Sequence, residues 1–234
     1  MTAGALLNPK AKIRVARQGE EAQPVIVIDD LLAAPERWRE AAEQARYGRI
    51  GPHYPGLRAV VPAADAAALR EALAAPIGEA FGLPVPPVLE TFFSIVTTPP
   101  GALAPIQRLP HFDGLEPERI AILVYLSGEA QGGTAFYRQR ATGFETVDSA
   151  RFPAFEAALR AGVAEHGLPP AAYIGGDTPL YQEIARYEAK PNRALIYRGH
   201  SLHCAAIPPG VPLPADPALG RLTVNSFLFE RRAD

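Results

Sequence analysis

The alternation of apolar and polar positions divides the chain into a mixed front part and a longer part dominated by short apolar runs. Residues 24–30 form a β-branched run that ends in acids, which predicts a strand. The stretches 35–47 and 63–81 are rich in helix formers and predict two helices, and Pro76 would kink or split the second. Residues 48–62 are rich in turn formers and are predicted to form a loop.

From residue 88 onward, apolar runs separated by proline and glycine predict a series of strands. Residues 119–127 are almost continuously apolar, which is typical of a strand buried on both faces. Residues 151–166 have the spacing of an amphipathic helix inserted among the strands. The other predicted strands are 88–97, 106–113, 133–140, 180–189, 193–199, 201–207 and 221–229. Together these elements predict a mainly β fold with flanking helices, an α+β arrangement.

Length and composition favour one domain over the whole chain, 1–234, because 234 residues build one sizeable core. Proline accounts for 25 residues, about twice the average share, which favours short elements over long helices. We therefore expect the strand and helices of 1–87 to pack on a strand core formed by 88–229.

Charge and hydropathy exclude several classes of partner. The formal net charge is -2, from 23 basic and 25 acidic residues without a block of like charge, so no nucleic-acid partner is predicted. No apolar run approaches the roughly 20 residues that cross a bilayer, and the N-terminus lacks the apolar core of a signal peptide. Cys204 is the one cysteine and is expected to pack in the core. These features predict a cytoplasmic protein without a membrane partner, and nothing in them indicates an oligomeric state.

The first candidate for chemistry is the tripeptide His111-Phe112-Asp113. If this stretch is extended, His111 and Asp113 leave the same face while Phe112 points the other way. One imidazole and one carboxylate form two-thirds of the facial triad that holds non-haem iron with open coordination positions. Taken alone, the tripeptide is more typical of a histidine at a strand end, with the aspartate beginning the turn at Gly114.

A third ligand must come from a distant part of the chain, and His200 and His203 are the candidates. They are three residues apart, so on one regular strand they face opposite sides and cannot easily bind the same metal. His203 lies within the apolar run 201–207, whereas His200 follows Gly199 at a predicted turn. His203 is therefore the preferred ligand and His200 the second candidate.

An arginine is the fourth element of the predicted site. Arg221 and Thr223 share one face of the last predicted strand. An arginine directed into a strand core needs an anionic partner, and its planar guanidinium matches a carboxylate in bidentate geometry. Arg221 at the mouth of the strand, reaching solvent, is the other interpretation, and Arg193 and Arg198 are alternative partners for a carboxylate.

The order of these motifs resembles the Fe(II)/2-oxoglutarate-dependent dioxygenase superfamily. The likeness is closest to the prolyl-4-hydroxylase-like branch and to uncharacterised bacterial members with an HFD…GGTAFYR…TGFE…GRL pattern. The segments AILVYLSG and GGTAFY look like the buried strand, turn and next strand of that superfamily. The resemblance covers roughly 88–229 and the opening segment VIVIDDLL.

The resemblance implies a double-stranded β-helix, or jelly roll, as the core. It implies that His111, Asp113 and His203 bind Fe(II) and are the catalytic centre. It implies further that Arg221 and Thr223 hold the far carboxylate of the cosubstrate 2-oxoglutarate. The reaction implied is hydroxylation by O2 of a small molecule or a peptide side chain, since the aspartate ligand leaves no site for a halide.

Some assignments within the resemblance are looser. Tyr125 on the buried strand either reaches the cosubstrate or lies in the core. The 18 positions between His203 and Arg221 exceed the spacing usual in the family, so a proline-rich loop would have to absorb the excess. A jelly roll with another metal and a non-catalytic binding protein are the alternative functions. Residues that would line the substrate side, or simply face solvent, are His53, Tyr54, Gln107, Arg138 and Arg140.

Overall fold

Ten strands and four α-helices make up the computed structural model, which describes residues 6–230; the ends of the predicted domain at residues 1 and 234 lie outside this range. The strands are β1 (Lys12–Gln18), β2 (Gln23–Asp29), β3 (Gly56–Val60), β4 (Val88–Val96), β5 (Ile120–Tyr125), β6 (Gly133–Gln139), β7 (Tyr181–Tyr187), β8 (Ala194–Arg198), β9 (His203–Ala206) and β10 (Arg221–Leu228). The helices are α1 (Pro35–Glu43), α2 (Ala63–Ala72), α3 (Ala74–Phe81) and α4 (Phe152–His166). The prediction of a mainly β fold with flanking helices is confirmed.

The strands form two antiparallel sheets that face each other. The large sheet has seven strands in the order β1-β2-β8-β5-β10-β4-β3, and the small sheet has three in the order β7-β6-β9. Sequential neighbours are often not spatial neighbours, as in a jelly roll, where strands that are distant in sequence pair across the sheet. This arrangement brings the start of β10 opposite the small sheet.

Helices α1 to α3 cover the outer face of the large sheet. The Trp38 ring of α1 packs edge-on against Phe93 of β4, with the ring centroids 6.2 Å apart. Leu69 of α2 and Ile77 of α3 are fully buried in the same cluster. Burial of such side chains contributes roughly 1.5–3 kcal/mol each, so this layer is a main source of stability.

A second core lies between the two sheets. Leu123 and Tyr197 of the large sheet pack with Phe136 of the small sheet in one buried cluster. The Phe136 and Tyr197 ring centroids are 5.1 Å apart. On the other side of the small sheet, Phe155 of α4 packs against residues such as Tyr137. The inserted helix predicted at 151–166 therefore covers the outer face of the small sheet.

The structure also corrects several predicted elements. The stretch 106–113 is not a strand: a 3-10 turn covers Pro105–Arg108, and Pro110 lacks the N–H that a ladder requires. The loop predicted at 48–62 contains strand β3, which is short and surrounded by turn formers, and β1 was not predicted at all, because most of its side chains are exposed; both are edge strands. Helix α1 ends at Glu43 rather than near 47.

The helical stretch 63–81 is split, as Pro76 suggested. The break falls at Leu73, and Pro76 lies in the first turn of α3, where a missing N–H leaves no intrahelical bond unmade. None of the helices in the described part of the chain is long and apolar enough to cross a membrane.

Candidate metal centre

Three side chains from two segments that are far apart in sequence converge at the start of β9. His111, Asp113 and His203 each offer one ligand atom, and these atoms all lie within 4.8 Å of one another. Within residues 6–230 no other group of three or more histidine, cysteine, aspartate or glutamate side chains has this spacing. The fold therefore brings together the three residues that the sequence predicted as ligands.

Backbone pairing places the two histidines side by side. The N–H of His111 donates to the carbonyl oxygen of His203 at 2.9 Å, and the N–H of His203 donates to the carbonyl oxygen of His111 at 2.8 Å. Two residues paired in this way project their side chains to the same face. Their ring centroids are 4.4 Å apart. The strand predicted at 106–113 was expected to orient the His111 side chain, and a single isolated bridge to His203 does so instead.

Asp113 is held by a separate backbone contact. Its N–H donates to the carbonyl oxygen of Gly199 at 2.7 Å, which anchors the bend after the bridge. Its Oδ1 lies 3.9 Å from Nε2 of His111, and its Oδ2 lies 3.7 Å from Nε2 of His203. The carboxylate therefore lies between the two imidazoles, on the side that the i, i+2 spacing predicted.

A hydrogen bond sets the tautomer of the His203 ring. Its Nδ1 lies 2.8 Å from the carbonyl oxygen of Ser201, and because a carbonyl only accepts, Nδ1 carries the proton. The lone pair of the neutral ring is then on Nε2, the atom nearest Asp113. A carbonyl that orients the far nitrogen of a histidine in this way is common behind metal ligands.

The donor set fits a divalent metal. Oδ2 of Asp113 is buried and has no hydrogen-bond partner. Burial raises the pKa of Asp113, against the lowering effect of His203 and Arg58, so the carboxylate lacks sufficient positive charge nearby. Two neutral imidazole nitrogens and one carboxylate oxygen form the facial set typical of non-haem iron. The His111 side chain is 53% exposed, which leaves an approach to the centre.

The second candidate ligand, His200, does not join this group. It is buried, and neither ring nitrogen has a hydrogen-bond partner. Burial lowers the pKa of His200 to about 4, and the nearby charge of Arg198 lowers it further. His200 lines a separate cavity with Arg17 and Glu21. The geometry thus brings His203, rather than His200, to Asp113.

Arg221 begins β10 and is buried without a charged partner. It is 3% exposed, its Nη2 donates to the carbonyl oxygen of Gly133 at 2.9 Å, and its Nε has no partner. Within residues 6–230 no carboxylate lies within ion-pair distance of this guanidinium. The interpretation that Arg221 reaches solvent is wrong, and its buried positive charge calls for an anion.

Thr223 and Tyr125 lie beside Arg221 on the inner face of the large sheet. Thr223 pairs directly with Tyr125 of β5, so both side chains point towards the small sheet. The Tyr125 hydroxyl lies 2.6 Å from Oγ1 of Thr134, and the Arg221 guanidinium carbon is 5.6 Å from the Tyr125 ring centroid. Tyr125 therefore forms a wall beside Arg221 while its hydroxyl is already engaged.

The two alternative arginines already have partners elsewhere. Arg193 makes two hydrogen bonds to the carboxylate of Asp29. Arg198 donates to the backbone carbonyl oxygens of Pro117 and Phe81. Of the three arginines considered from the sequence, Arg221 alone is buried with a donor nitrogen that lacks an acceptor.

Three other residues singled out in the sequence have structural roles. Arg138 donates to Glu145, and Arg140 donates to Asp177 at 2.6 Å, so both are engaged in ion pairs. Cys204 is buried as predicted, and burial raises its pKa to about 12. A thiol in this state is a packing group rather than a nucleophile.

Gln107 and His53 lie at the rim of the centre. The Gln107 side chain donates to the backbone carbonyl oxygen of His53 at 3.1 Å, and this contact is exposed. Although 53% of the His111 side chain is exposed, desolvation of its ring nitrogens at the centre lowers its pKa well below the usual value, and the neighbouring His203, Arg58 and His53 lower it further. His53 is therefore close enough to act on the ligand electrostatically.

Two residues near the centre were missed from the sequence. The Tyr197 ring of β8 packs edge-on against His203, with the centroids 4.8 Å apart. Arg58 of β3 lies over the Tyr54 ring, with its guanidinium carbon 4.1 Å from the centroid. The short alternation of apolar and polar residues at 56–60, GLRAV, could have indicated strand β3 and with it Arg58, but the surrounding turn formers outweighed it.

Comparisons with known proteins place the chain in a family. Residues 9–228 match the family described as "Family of unknown function (DUF6445)", and the chain belongs to that family. A search of curated proteins finds no match.

Two solved structures have a similar fold. HygX from Streptomyces hygroscopicus with nickel and 2-oxoglutarate bound is 14% identical, with a TM-score of 0.51 over 89% of this chain and 84% of HygX. The non-heme alpha ketoglutarate dependent epimerase SnoN from nogalamycin biosynthesis is 13% identical, with a TM-score of 0.50 over 92% of this chain and 78% of SnoN. At such identities the likeness supports the fold.

Proposed function

We propose that this member of the DUF6445 family is an Fe(II)- and 2-oxoglutarate-dependent oxygenase. The observation that carries the proposal is the convergence of His111, Asp113 and His203, whose ligand atoms lie within 4.8 Å of one another. The buried Oδ2 of Asp113 has no hydrogen-bond partner. The buried Arg221 on the facing sheet supports the proposal. Its Nε has no hydrogen-bond partner, so its positive charge is available to a carboxylate of 2-oxoglutarate.

In this proposal the three ligands hold Fe(II) and leave coordination positions for 2-oxoglutarate and O2. When bound, the iron supplies the coupling of 2-oxoglutarate decarboxylation to substrate oxidation, with the balance 2-oxoglutarate + O2 + R–H → succinate + CO2 + R–OH. The Ser201 carbonyl keeps His203 in the tautomer that offers Nε2. The Gly199 carbonyl and the His111–His203 bridge fix the ligand positions before the metal arrives.

The cosubstrate is oriented by Arg221. Its guanidinium pairs with the far carboxylate of 2-oxoglutarate through charge-assisted hydrogen bonds, and the Thr223 hydroxyl, which donates to Oδ1 of Asn225 at 2.6 Å in the ligand-free protein, turns to the same carboxylate. The Gly133 carbonyl holds one edge of the guanidinium in place. The Tyr125 ring and the buried strands β5 and β10 exclude water from this side, which strengthens the ion pair.

The carboxylate of Asp113 occupies the position that a halide would need, so we propose hydroxylation of a small molecule or a peptide side chain. HygX has also been solved with nickel, 2-oxoglutarate and hygromycin B bound, at 15% identity to this chain. A small-molecule substrate is thus compatible with this fold.

The test is anaerobic addition of Fe(II) and 2-oxoglutarate, followed through the weak visible charge-transfer band of the chelate. The band is expected in the wild-type protein and in His166→Ala, an exposed histidine at the end of α4. It is expected to be lost in His111→Ala. Absence of the band in the intact protein would reject the proposed function.

The same titration separates the two candidate distal ligands. His203→Ala is expected to abolish Fe(II) binding, measured by metal analysis after desalting, whereas His200→Asn is expected to retain it. Loss of iron in His200→Asn with retention in His203→Ala would reverse the assignment.

A further inference from the structure

Arg58 is a cation without an acceptor. Its guanidinium carbon lies 4.1 Å from the Tyr54 ring centroid and 5.1 Å from that of Phe92. None of its guanidinium N–H groups donates a hydrogen bond within residues 6–230, and its Nε is buried. A buried Nε–H without an acceptor is unfavourable unless a ligand accepts it, and the two terminal nitrogens offer four further donors on the same guanidinium.

The register places Arg58 on the same face as the candidate site. Arg58 pairs with Ser94 of β4, and Ser94 pairs with Thr223 of β10. Residues directly opposite in antiparallel strands share a face, so all three point towards the small sheet. The Phe92 ring next to the Arg58 guanidinium belongs to the same buried cluster as Phe136, and Phe136 pairs with His203 in the small sheet.

Arg58 and Arg221 are separate cations on this face. Burial raises the pKa of Tyr54, and the charges of Arg221 and Arg58 both oppose that rise, so Tyr54 is within electrostatic reach of both. Under the proposed function, Arg221 takes the far carboxylate of 2-oxoglutarate. A single bound 2-oxoglutarate therefore leaves the charge of Arg58 without an anionic partner.

The acidic groups of the protein do not neutralise Arg58. Glu90 and Asp113 raise its pKa electrostatically, but neither lies within ion-pair distance of it. Glu90 is exposed to solvent, and Asp113 is committed to the metal in the proposed function. Burial is the dominant effect on Arg58 and lowers its pKa, as expected for a cation short of counter-charge.

We infer that Arg58 binds a carboxylate of the substrate, and that the enzyme acts on carboxylate-bearing molecules. The inference rests on the proposed function and names the substrate class for the same site. The aromatic rings of Tyr54 and Phe92 hold the planar guanidinium flat, so its N–H edge is pre-oriented for a bidentate carboxylate. The bound acid group would anchor the substrate next to the metal ligands.

The experiment compares benzoate with its uncharged isostere benzamide. Both are titrated calorimetrically into the anaerobic Fe(II) protein with saturating 2-oxoglutarate, so that Arg221 and the cosubstrate positions are occupied. Wild-type protein is expected to bind benzoate roughly tenfold or more tightly than benzamide, the difference one charge-assisted interaction makes. Arg58→Gln is expected to bind both alike.

Matched variants identify the cause. Arg151 also lies over an aromatic ring, that of Phe144, but is paired with Glu21, so Arg151→Gln is expected to keep the benzoate preference. Arg58→Lys keeps the charge without the planar fork and is expected to keep a smaller preference.

Three outcomes would overturn the inference. These are equal or absent binding of benzoate and benzamide in the wild type, an unchanged preference in Arg58→Gln, and loss of the 2-oxoglutarate charge-transfer band in Arg58→Gln. The last would make Arg58 part of the cosubstrate site. The band in wild-type protein reports on the proposed function and the benzoate ratio on Arg58, so the two fail separately.

Discussion

Replacing Arg221 by glutamine tests how the chain recognises 2-oxoglutarate. Arg221→Gln removes the positive charge and most of the donors while keeping a polar side chain of similar reach. Arg221 is 3% exposed and its Nε lacks an acceptor, so its charge is uncompensated in the ligand-free protein. The variant should therefore fold and lose affinity for the cosubstrate.

The magnitude follows from the bonds that are lost. Hydrogen bonds to a charged group contribute about 1.5–3 kcal/mol each, and a bidentate pair loses two of them. The ligand-free Arg221→Gln variant no longer contains the unpaired buried charge, but this does not restore any of the lost binding energy. A loss of about 3 kcal/mol, the lower end for two bonds, weakens 2-oxoglutarate binding roughly 150-fold.

The assay is anaerobic titration of 2-oxoglutarate into the Fe(II) protein, followed by the charge-transfer band. Arg198→Gln is the matched control, because Arg198 donates to two backbone carbonyl oxygens away from β10. The control is expected to bind 2-oxoglutarate as the wild type does. Iron content is measured in parallel and should be unchanged in both variants.

Two results would refute the reasoning. Wild-type affinity in Arg221→Gln would show that another group holds the far carboxylate. Loss of Fe(II) together with 2-oxoglutarate would show that Arg221 supports the metal ligands and not the cosubstrate.

Two further predictions concern stability. The folded protein keeps His200 neutral to about pH 4, whereas its ordinary pKa is 6.5, so its contribution is intact above about pH 6.5 and falls by about 3 kcal/mol as pH approaches 4. Urea unfolding of His200→Asn from pH 4 to 7 should show a shallower acid loss than the wild type, and parallel curves would contradict this. Gly133→Ala should destabilise by more than about 2 kcal/mol, because the added Cβ would lie 2.0 Å from the Tyr187 carbonyl oxygen, whereas Gly128→Ala meets no atom within 4 Å and should change the melting temperature little. Similar melting temperatures for the two glycine variants would refute the close approach.

Local pattern was sufficient where burial and sequence agree. The continuous apolar run at 119–127 predicted β5, and all six of its residues are buried because it lies in the middle of the large sheet. The same logic predicted β4, β8 and β10 within one or two residues. The prediction that Arg221 and Thr223 share one face of β10 followed directly, since side chains along a strand alternate with a period of two.

Local pattern failed at the edges and in the proline-rich loops. β1 and β3 are edge strands: most side chains of β1 are exposed and show no alternation of buried positions, and the turn formers around β3 outweighed its short alternation. Arg58 was missed with β3. The stretch 106–113 has strand-like residues, but its prolines remove the donors of a ladder, and only the bridge from His111 to His203 is extended.

The sequence by itself determined which residue types carry the site and their order along the chain. His111 and Asp113 are two residues apart whatever the fold, and this short spacing keeps them close. Only the tertiary structure decided that His203, and not His200, meets them, because the choice depends on a backbone bridge between segments about 90 residues apart. It also decided that Arg221 is buried with an unused donor and that Arg58 lies on the same sheet face as Thr223, since burial and strand register are properties of packing between strands that are distant in sequence.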